Sequence, residues 1–273
     1  MDFSKIRILV VLGVLFFSGL FFLSTSELAQ GEKNNQKFTN SLNQTFVKIP
    51  AQTFIMGALE GDNDSESDES PAHSVTISRD FYLGTYPVTQ EEFFTVMGYN
   101  PSHFVAPKQP VENLSYPEVM DFIERLNLRE GTKKYRLPTE AEWEVAARGG
   151  SQGTYHFGND PAQLSQYAWF AENSNLTTQP VGLKRPNPYG LYDMYGNVFE
   201  WLADYYDRFF YEYSPIIDPL GPKVGNLRSV RGCSYKEKAF FCRSSDRAGL
   251  ADNVRISTQG FRLAISESSQ PSN

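Results

Sequence analysis

The sequence predicts an α+β domain of short helices and short strands joined by long ordered loops, and three observations carry that expectation. Three hydroxyl residues are each followed three positions later by Glu, five short runs have the composition of strands, and residues 150–227 are rich in Gly, Pro, Asn and aromatics without a clear period. A hydroxyl residue and a Glu at that spacing can satisfy each other's free backbone amide, so each pair marks a helix start. Loops as long as the third stretch requires are usually functional or are held by something, such as a bound ion.

In chain order, Lys5 and Arg7 precede an unbroken apolar run over residues 8–23, polar residues follow, and Ala29 is a candidate cleavage position. Residues 1–29 therefore read as a signal peptide or signal anchor, the run being short for a spanning helix. The basic flank stays inside, which places the remainder outside the cytoplasm, periplasmic or secreted. No Cys lies near the run, which excludes bacterial-type lipid attachment. Residues 30–43 are polar and rich in Asn and Gln and read as a linker. The domain is expected over 44–267, with a disordered tail at 268–273.

Inside the domain, strands are expected at 45–49, 74–77, 81–85, 230–235 and 260–265. The helix pairs are Thr89 with Glu92, Ser115 with Glu118 and Thr139 with Glu142. Behind Ser115, the residues Val119, Phe122, Ile123 and Leu126 fall on one helical face. Behind Thr139, Trp143, Ala146 and Ala147 form a similar stripe, and Gly149 with Gly150 ends the helix. Six of the ten residues 60–69 are Asp or Glu, a run that reads as a solvated loop because the Gly and closing Glu of an EF-hand are missing.

Composition narrows the chemistry. Three Trp, 15 Tyr and 21 Phe supply flat side chains enough for one large core. A formal charge of −7 without a cluster of Lys and Arg excludes nucleic acid as a partner. Cys233 and Cys242 stand alone, which rules out a disulfide framework and leaves open whether the two pair. His73, His103 and His156 are isolated in sequence and read as structural. Asp193 and Glu200 flank a Gly-Asn turn within eight residues, and hard oxygen ligands so arranged suit calcium.

Eight segments are then met in order: FIMG (54–57), YPVTQ (86–90), PVENLS (110–115), RLPTEAEWE (136–144), GLYD (190–193), GNVFEW (196–201), RGCSY (231–235) and GFR (260–262). Together they resemble the formylglycine-generating enzyme, or sulfatase-modifying factor, family. The resemblance implies an α+β fold related to C-type lectins. It also implies one structural calcium, held by the side chains of Asp193 and Glu200 and the carbonyls of Gly196 and Val198. A second family calcium site does not carry over, because Trp169 stands where its Asn ligand would be.

Enzymes of that family convert a Cys of a client sulfatase to formylglycine with oxygen and a copper ion held by two thiolates, the soft ligands Cu(I) requires. The resemblance places Ser234 on an active-site Ser, Cys242 on the second thiolate and Glu237 on the first, so these three are the catalytic candidates. A carboxylate is a hard ligand, and copper is not expected. Cys233 falls on a Gly of the motif. From the residues alone, Cys242 reads as a small buried thiol in a strand beside Phe240 and Phe241, and Arg243, Asp246 and Arg247 as a local charge network.

Three functions fit. One is a maturation factor acting on a protein or peptide client with altered or absent copper chemistry. Another is a different periplasmic oxidase or maturase, such as one that finishes siderophore chromophores, with Glu237 as acid or base. The last is a non-catalytic module that binds protein or glycan. A membrane is expected as partner only through an N-terminal anchor.

Overall fold

In a computed structural model of the chain, described over residues 37–59, 62 and 64–266, the strands form three sheets around two apolar cores. The five-stranded sheet runs β1 (Lys37–Thr39), β2 (Thr45–Ile49), β5 (Phe81–Gly84), β11 (Ala264–Ser266), β6 (Tyr135–Arg136). The four-stranded sheet runs β10 (Gln259–Gly260), β7 (Phe199–Tyr205), β8 (Arg228–Arg231), β9 (Arg247–Leu250), and β3 (Gln52–Met56) pairs with β4 (His73–Ile77). The architecture is α+β.

The helices are α1 (Gln90–Met97), α2 (Tyr116–Arg129) and α3 (Glu140–Arg148). Each begins with the reciprocal cap expected from its hydroxyl and Glu pair. Gly98 and Gly149 follow α1 and α3 in the left-handed conformation. At Gly149 a Cβ would come within 2.7 Å of Pro188, so both the turn and the close approach require glycine. On α2 the expected stripe is buried, and Phe122 stacks on Phe93 with ring centres 5.4 Å apart while meeting Phe261 edge-on. Each such side chain removed from water stabilises the fold by roughly 1.5–3 kcal/mol.

Several sequence expectations change. Residues 37–39, placed in a linker, pair with β2 because Phe38 packs on Phe46 at the sheet edge. The run 230–235 leaves the sheet after Arg231, where Gly232 and Cys233 both take positive φ. The run 260–265 breaks into β10 and β11. The stretch 150–227 is mostly loop as expected, but it also contains the seven-residue strand β7. The signal segment and the tail at 268–273 lie outside the described residues.

Helix α3 departs furthest from its one-face reading, since all nine of its residues are buried. Its carboxylates are the reason. Glu140 accepts from Arg231 at 3.0 Å, from Arg247 at 2.7 and 2.8 Å and from Ser229 at 3.0 Å. Glu144 accepts from Arg148 at 2.9 Å, from the Gly57 amide at 2.9 Å and from Arg231. Burial opposes ionisation of Glu140, but Arg247 and Arg231 outweigh it and hold the carboxyl down at about 2. The acidic run is drawn into the same lattice: Glu69 is fully buried and receives Arg243 through two nitrogens at 2.6 and 2.7 Å. It is a solvated loop only in part. Of the expected network, Arg243 reaches Asp246 at 3.3 Å while Arg247 goes to Glu140 instead, and both arginines fasten the turn after Arg231 to the scaffold.

Candidate functional site

The turn that follows β8 holds the three catalytic candidates. A Cβ on Gly232 would lie 2.9 Å from the Trp143 ring, and Cys233 sits at φ 61°. This left-handed corner folds the chain back so that Cys233 and Cys242, with Cα atoms 4.9 Å apart, are joined as a disulfide inside the core. Cys242 follows a short 3-10 turn, Ala239–Phe241, and is not in a strand. Bonded to Cys233, Cys242 presents no free thiolate here, and the two sulfurs close a loop around Ser234 and Glu237.

Within that loop Ser234 is fully buried. Its Oγ accepts the Lys236 amide at 3.2 Å, and its carbonyl accepts the Glu237 amide at 3.2 Å. Glu237 donates nothing further from its backbone but accepts the Ala171 amide on its carbonyl at 2.8 Å. Its half-buried carboxylate takes no hydrogen bond or ion pair among the described residues. Exposed Lys236 and Lys238 flank it.

Tyr235, quoted in a motif but given no role from sequence, is the pivot of the turn. Its amide donates to the Asn197 carbonyl at 2.9 Å, its carbonyl accepts the Ser174 hydroxyl at 2.6 Å and its own hydroxyl shares a hydrogen bond with Ser257 at 2.9 Å. Phe104 meets its ring edge-on at 5.5 Å. The Phe104 amide donates at 2.8 Å to Glu112, a fully buried carboxyl whose other oxygen has no partner and which burial pushes up to about 7. These contacts join turns from four parts of the chain, a convergence that no local spacing announces.

The calcium set fares differently. Both Glu200 oxygens are taken by Arg262, at 2.6 to 2.9 Å, and Trp143 Nε1 adds a further donor at 2.8 Å. Three donors, Arg262 Nε shared between both oxygens, Arg262 Nη2 and Trp143 Nε1, thus converge on the Glu200 carboxylate. The buried Arg262 requires such a partner, which is why Glu200 serves it. Asp193, at positive φ, accepts the Gly182 amide on Oδ2 at 2.8 Å and leaves Oδ1 buried without a partner. Burial raises its pKa to about 6. Gly196 is pressed against the Trp169 backbone, where a Cβ would lie 2.1 Å from the carbonyl oxygen, and the Val198 side chain is buried. Among the described residues no three His, Cys, Asp or Glu side chains gather as a metal centre. Asp193, Gly196, Val198 and Glu200 are neighbours in a shared turn, in which Glu200 serves Arg262 and Trp143 and Asp193 Oδ1 has no hydrogen-bond partner among the described residues.

His156 carries two unpaired ring nitrogens in an aromatic box of Phe157, Tyr167 and Tyr195, and burial lowers it to about 4. It is neutral near pH 7, as a structural histidine would be.

With the fold and turn described, relatives can be placed. Residues 31–267 match the family model of the sulfatase-modifying factor enzyme 1-like domain. The formylglycine-generating enzyme of Thermomonospora curvata is 30% identical over 80% of this chain and 92% of its own length. A serine/threonine-protein kinase, pkn1 of Chlamydia pneumoniae, is 32% identical over 88% of this chain, which spans only 40% of that longer protein. Chaperone protein LppX of Paenibacillus barcinonensis is 32% identical over 56% of this chain and 70% of its own. Among solved structures, Treponema denticola variable protein 1 superposes with a TM-score of 0.76 at 30% identity over 86% of this chain and 99% of that one. PvdO from Pseudomonas aeruginosa does so with a TM-score of 0.77 at 28% identity over 85% and 98%. The order of motifs, the shared fold and the family match agree: the chain belongs to the sulfatase-modifying factor family.

Proposed function

We propose that the chain is an exported maturation factor acting on a protein or peptide client at the turn of Ser234 and Glu237, with chemistry other than copper oxidation through paired thiolates. One observation carries this reading. Where a soft dithiolate would be needed, the turn offers an unpaired carboxylate at Glu237 and a Cys242 already bonded to Cys233. A half-buried carboxylate between two lysines can take or return a proton at a client bound over the turn. The relatives named as formylglycine-generating enzymes and as a chaperone protein support a polypeptide as the client. A second reading, a periplasmic maturase of small peptides such as siderophore chromophores with Glu237 as acid or base, rests on the same free carboxylate. Export rests on Lys5, Arg7 and the apolar run at 8–23.

The test is to incubate the wild type and Glu237→Cys with Cu(I) and a peptide containing Cys-x-Pro-x-Arg, and to follow the peptide cysteine by mass spectrometry. The wild type should yield no aldehyde, and Glu237→Cys at best a trace. Repeated turnover by the wild type would show that the turn rearranges to a thiolate site and would overturn the proposal.

A further inference from the structure

Residues 206–227 form a loop that is fixed at many points yet turned outward with its apolar side chains. Phe210 and Tyr211 anchor one arm in the core. In the other arm the Ile216 carbonyl accepts the Thr76 amide at 2.7 Å, and the Asp218 amide returns a hydrogen bond to the Thr76 carbonyl at 3.0 Å. The segment thereby adds a parallel rung to β4. The Asp218 carboxylate accepts both the amide and the hydroxyl of Ser78. At the base, Tyr206 donates to the Leu227 carbonyl at 2.9 Å.

On this fixed frame Phe209, Tyr213, Ile216, Ile217, Leu220 and Val224 are 56 to 82% exposed. They are six of the seventeen large apolar side chains exposed among the described residues, gathered in sixteen positions. Ile217, opposite Thr76, shares the outer face of β3 and β4 with Ile55, so the patch continues onto the sheet. Single exposed apolar residues need no explanation, but six held outward on one pinned loop mark a contact surface. Exposed Arg208, Glu212, Asp218 and Lys223 lie among them.

We infer that this loop seats on a lipid surface. The inference rests on the anchor reading of residues 1–29, because only 13 residues, 24–36, separate the apolar run from β1. Fully extended they reach roughly 45 Å, so an anchored chain keeps its folded part beside the bilayer. Aromatic and aliphatic side chains held outward match the interfacial zone of a membrane, where rings sit at headgroup level and apolar groups enter the acyl boundary.

The full chain in lipid nanodiscs tests this. Ile217→Cys, Leu220→Cys and, as control, Leu128→Cys on α2, which is 74% exposed, are each labelled with an environment-sensitive fluorophore, after melting curves confirm that the fold is kept. The expected result is blue-shifted emission at 217 and 220, lost when shallow spin-labelled lipid is included, with 128 unchanged. Emission at 217 and 220 equal to that at 128 overturns the inference. A blue shift that spin-labelled lipid does not quench, and that grows with protein concentration, assigns the patch to a second copy and also overturns it. A chain that does not enter the discs sinks the anchor reading and the inference with it, whereas a chain that enters without a shift sinks the inference alone.

Discussion

Two neighbourhoods meet at Arg231. On its scaffold side the buried arginines have found carboxylates: Arg231 with Glu140 and Glu144, Arg247 with Glu140, Arg243 with Glu69, and Arg262 with Glu200, all side chains at most 3% exposed. On the other side, a few residues along, the turn of 234–242 leaves Glu237 unpaired between exposed lysines. The two sides differ in burial and in satisfaction: buried arginines locked to carboxylates on one, a half-buried carboxylate beside exposed lysines on the other. Buried charges must be paired or the fold does not hold, whereas a charge meant for a ligand must be left without an internal partner. The saturated lattice supplies rigidity, and the unsaturated turn beside it inherits a fixed position.

The comparison breaks most severely if Arg231 is removed. Arg231→Met keeps much of the volume but strips Glu140 and Glu144 of a shared partner, leaving buried carboxylates undercompensated. A loss of about 3–5 kcal/mol is expected, read as a collapse of the chemical-denaturation midpoint or as insoluble expression. A change under about 1 kcal/mol would mean that Arg148 and Arg247 suffice and that the lattice is redundant.

The next effect belongs to the turn. Reducing the Cys233 to Cys242 bond, or Cys233→Ser, should cost about 2–4 kcal/mol and raise hydrogen exchange in 234–241 while α3 stays protected. Cys233→Gly sharpens the reading. It also loses the bond, but glycine accepts the φ of 61° that Cys233 holds, so it should be the more stable of the two variants by about 1 kcal/mol. Equal stability of the two would place the strain elsewhere.

What the sequence made legible follows this same division. Capping boxes at Thr89, Ser115 and Thr139 are local, with partners three positions apart, and all three were readable. The lattice was not, because Glu140 meets Arg231 and Arg247 across 91 and 107 positions. The same blindness hid Arg262, 62 positions away, as a partner of Glu200. Cys233 and Cys242 were left undecided for a different reason: only the left-handed corner at Gly232 and Cys233 brings them together. The order of motifs gave the family and the fold from the residues themselves, while Tyr235 and the apolar loop of 206–227, which depend on which parts converge or stay uncovered, went unread.

A pH-dependent effect lies at the edge of the lattice, where Asp246 is buried but incompletely compensated. Arg243 reaches it at 3.3 Å while giving its shorter bonds to Glu69, and Arg231 binds only the Asp246 carbonyl. Burial, with Glu69 and Glu66 nearby, outweighs the pull of Arg243 and Arg231 and raises the carboxyl from 3.8 to about 8. The folded state therefore holds a proton that the unfolded state releases above pH 4. Stability from this group is fully present below pH 4 and is lost as pH rises through about 8, at a slope of at most about 1.4 kcal/mol per pH unit. Asp193 and Glu112, also raised, tilt the wild-type curve the same way, and the lowered His156 tilts it the other way between pH 4 and 6.5. The difference between wild type and Asp246→Asn cancels those contributions. Denaturation midpoints taken from pH 4.5 to 9 should show the wild type losing ground to Asp246→Asn as pH rises and the gap levelling above 8. Parallel curves would mean that Asp246 is ionised in the fold and that Arg243 serves two carboxylates at once, which would extend full saturation to the very border of the turn.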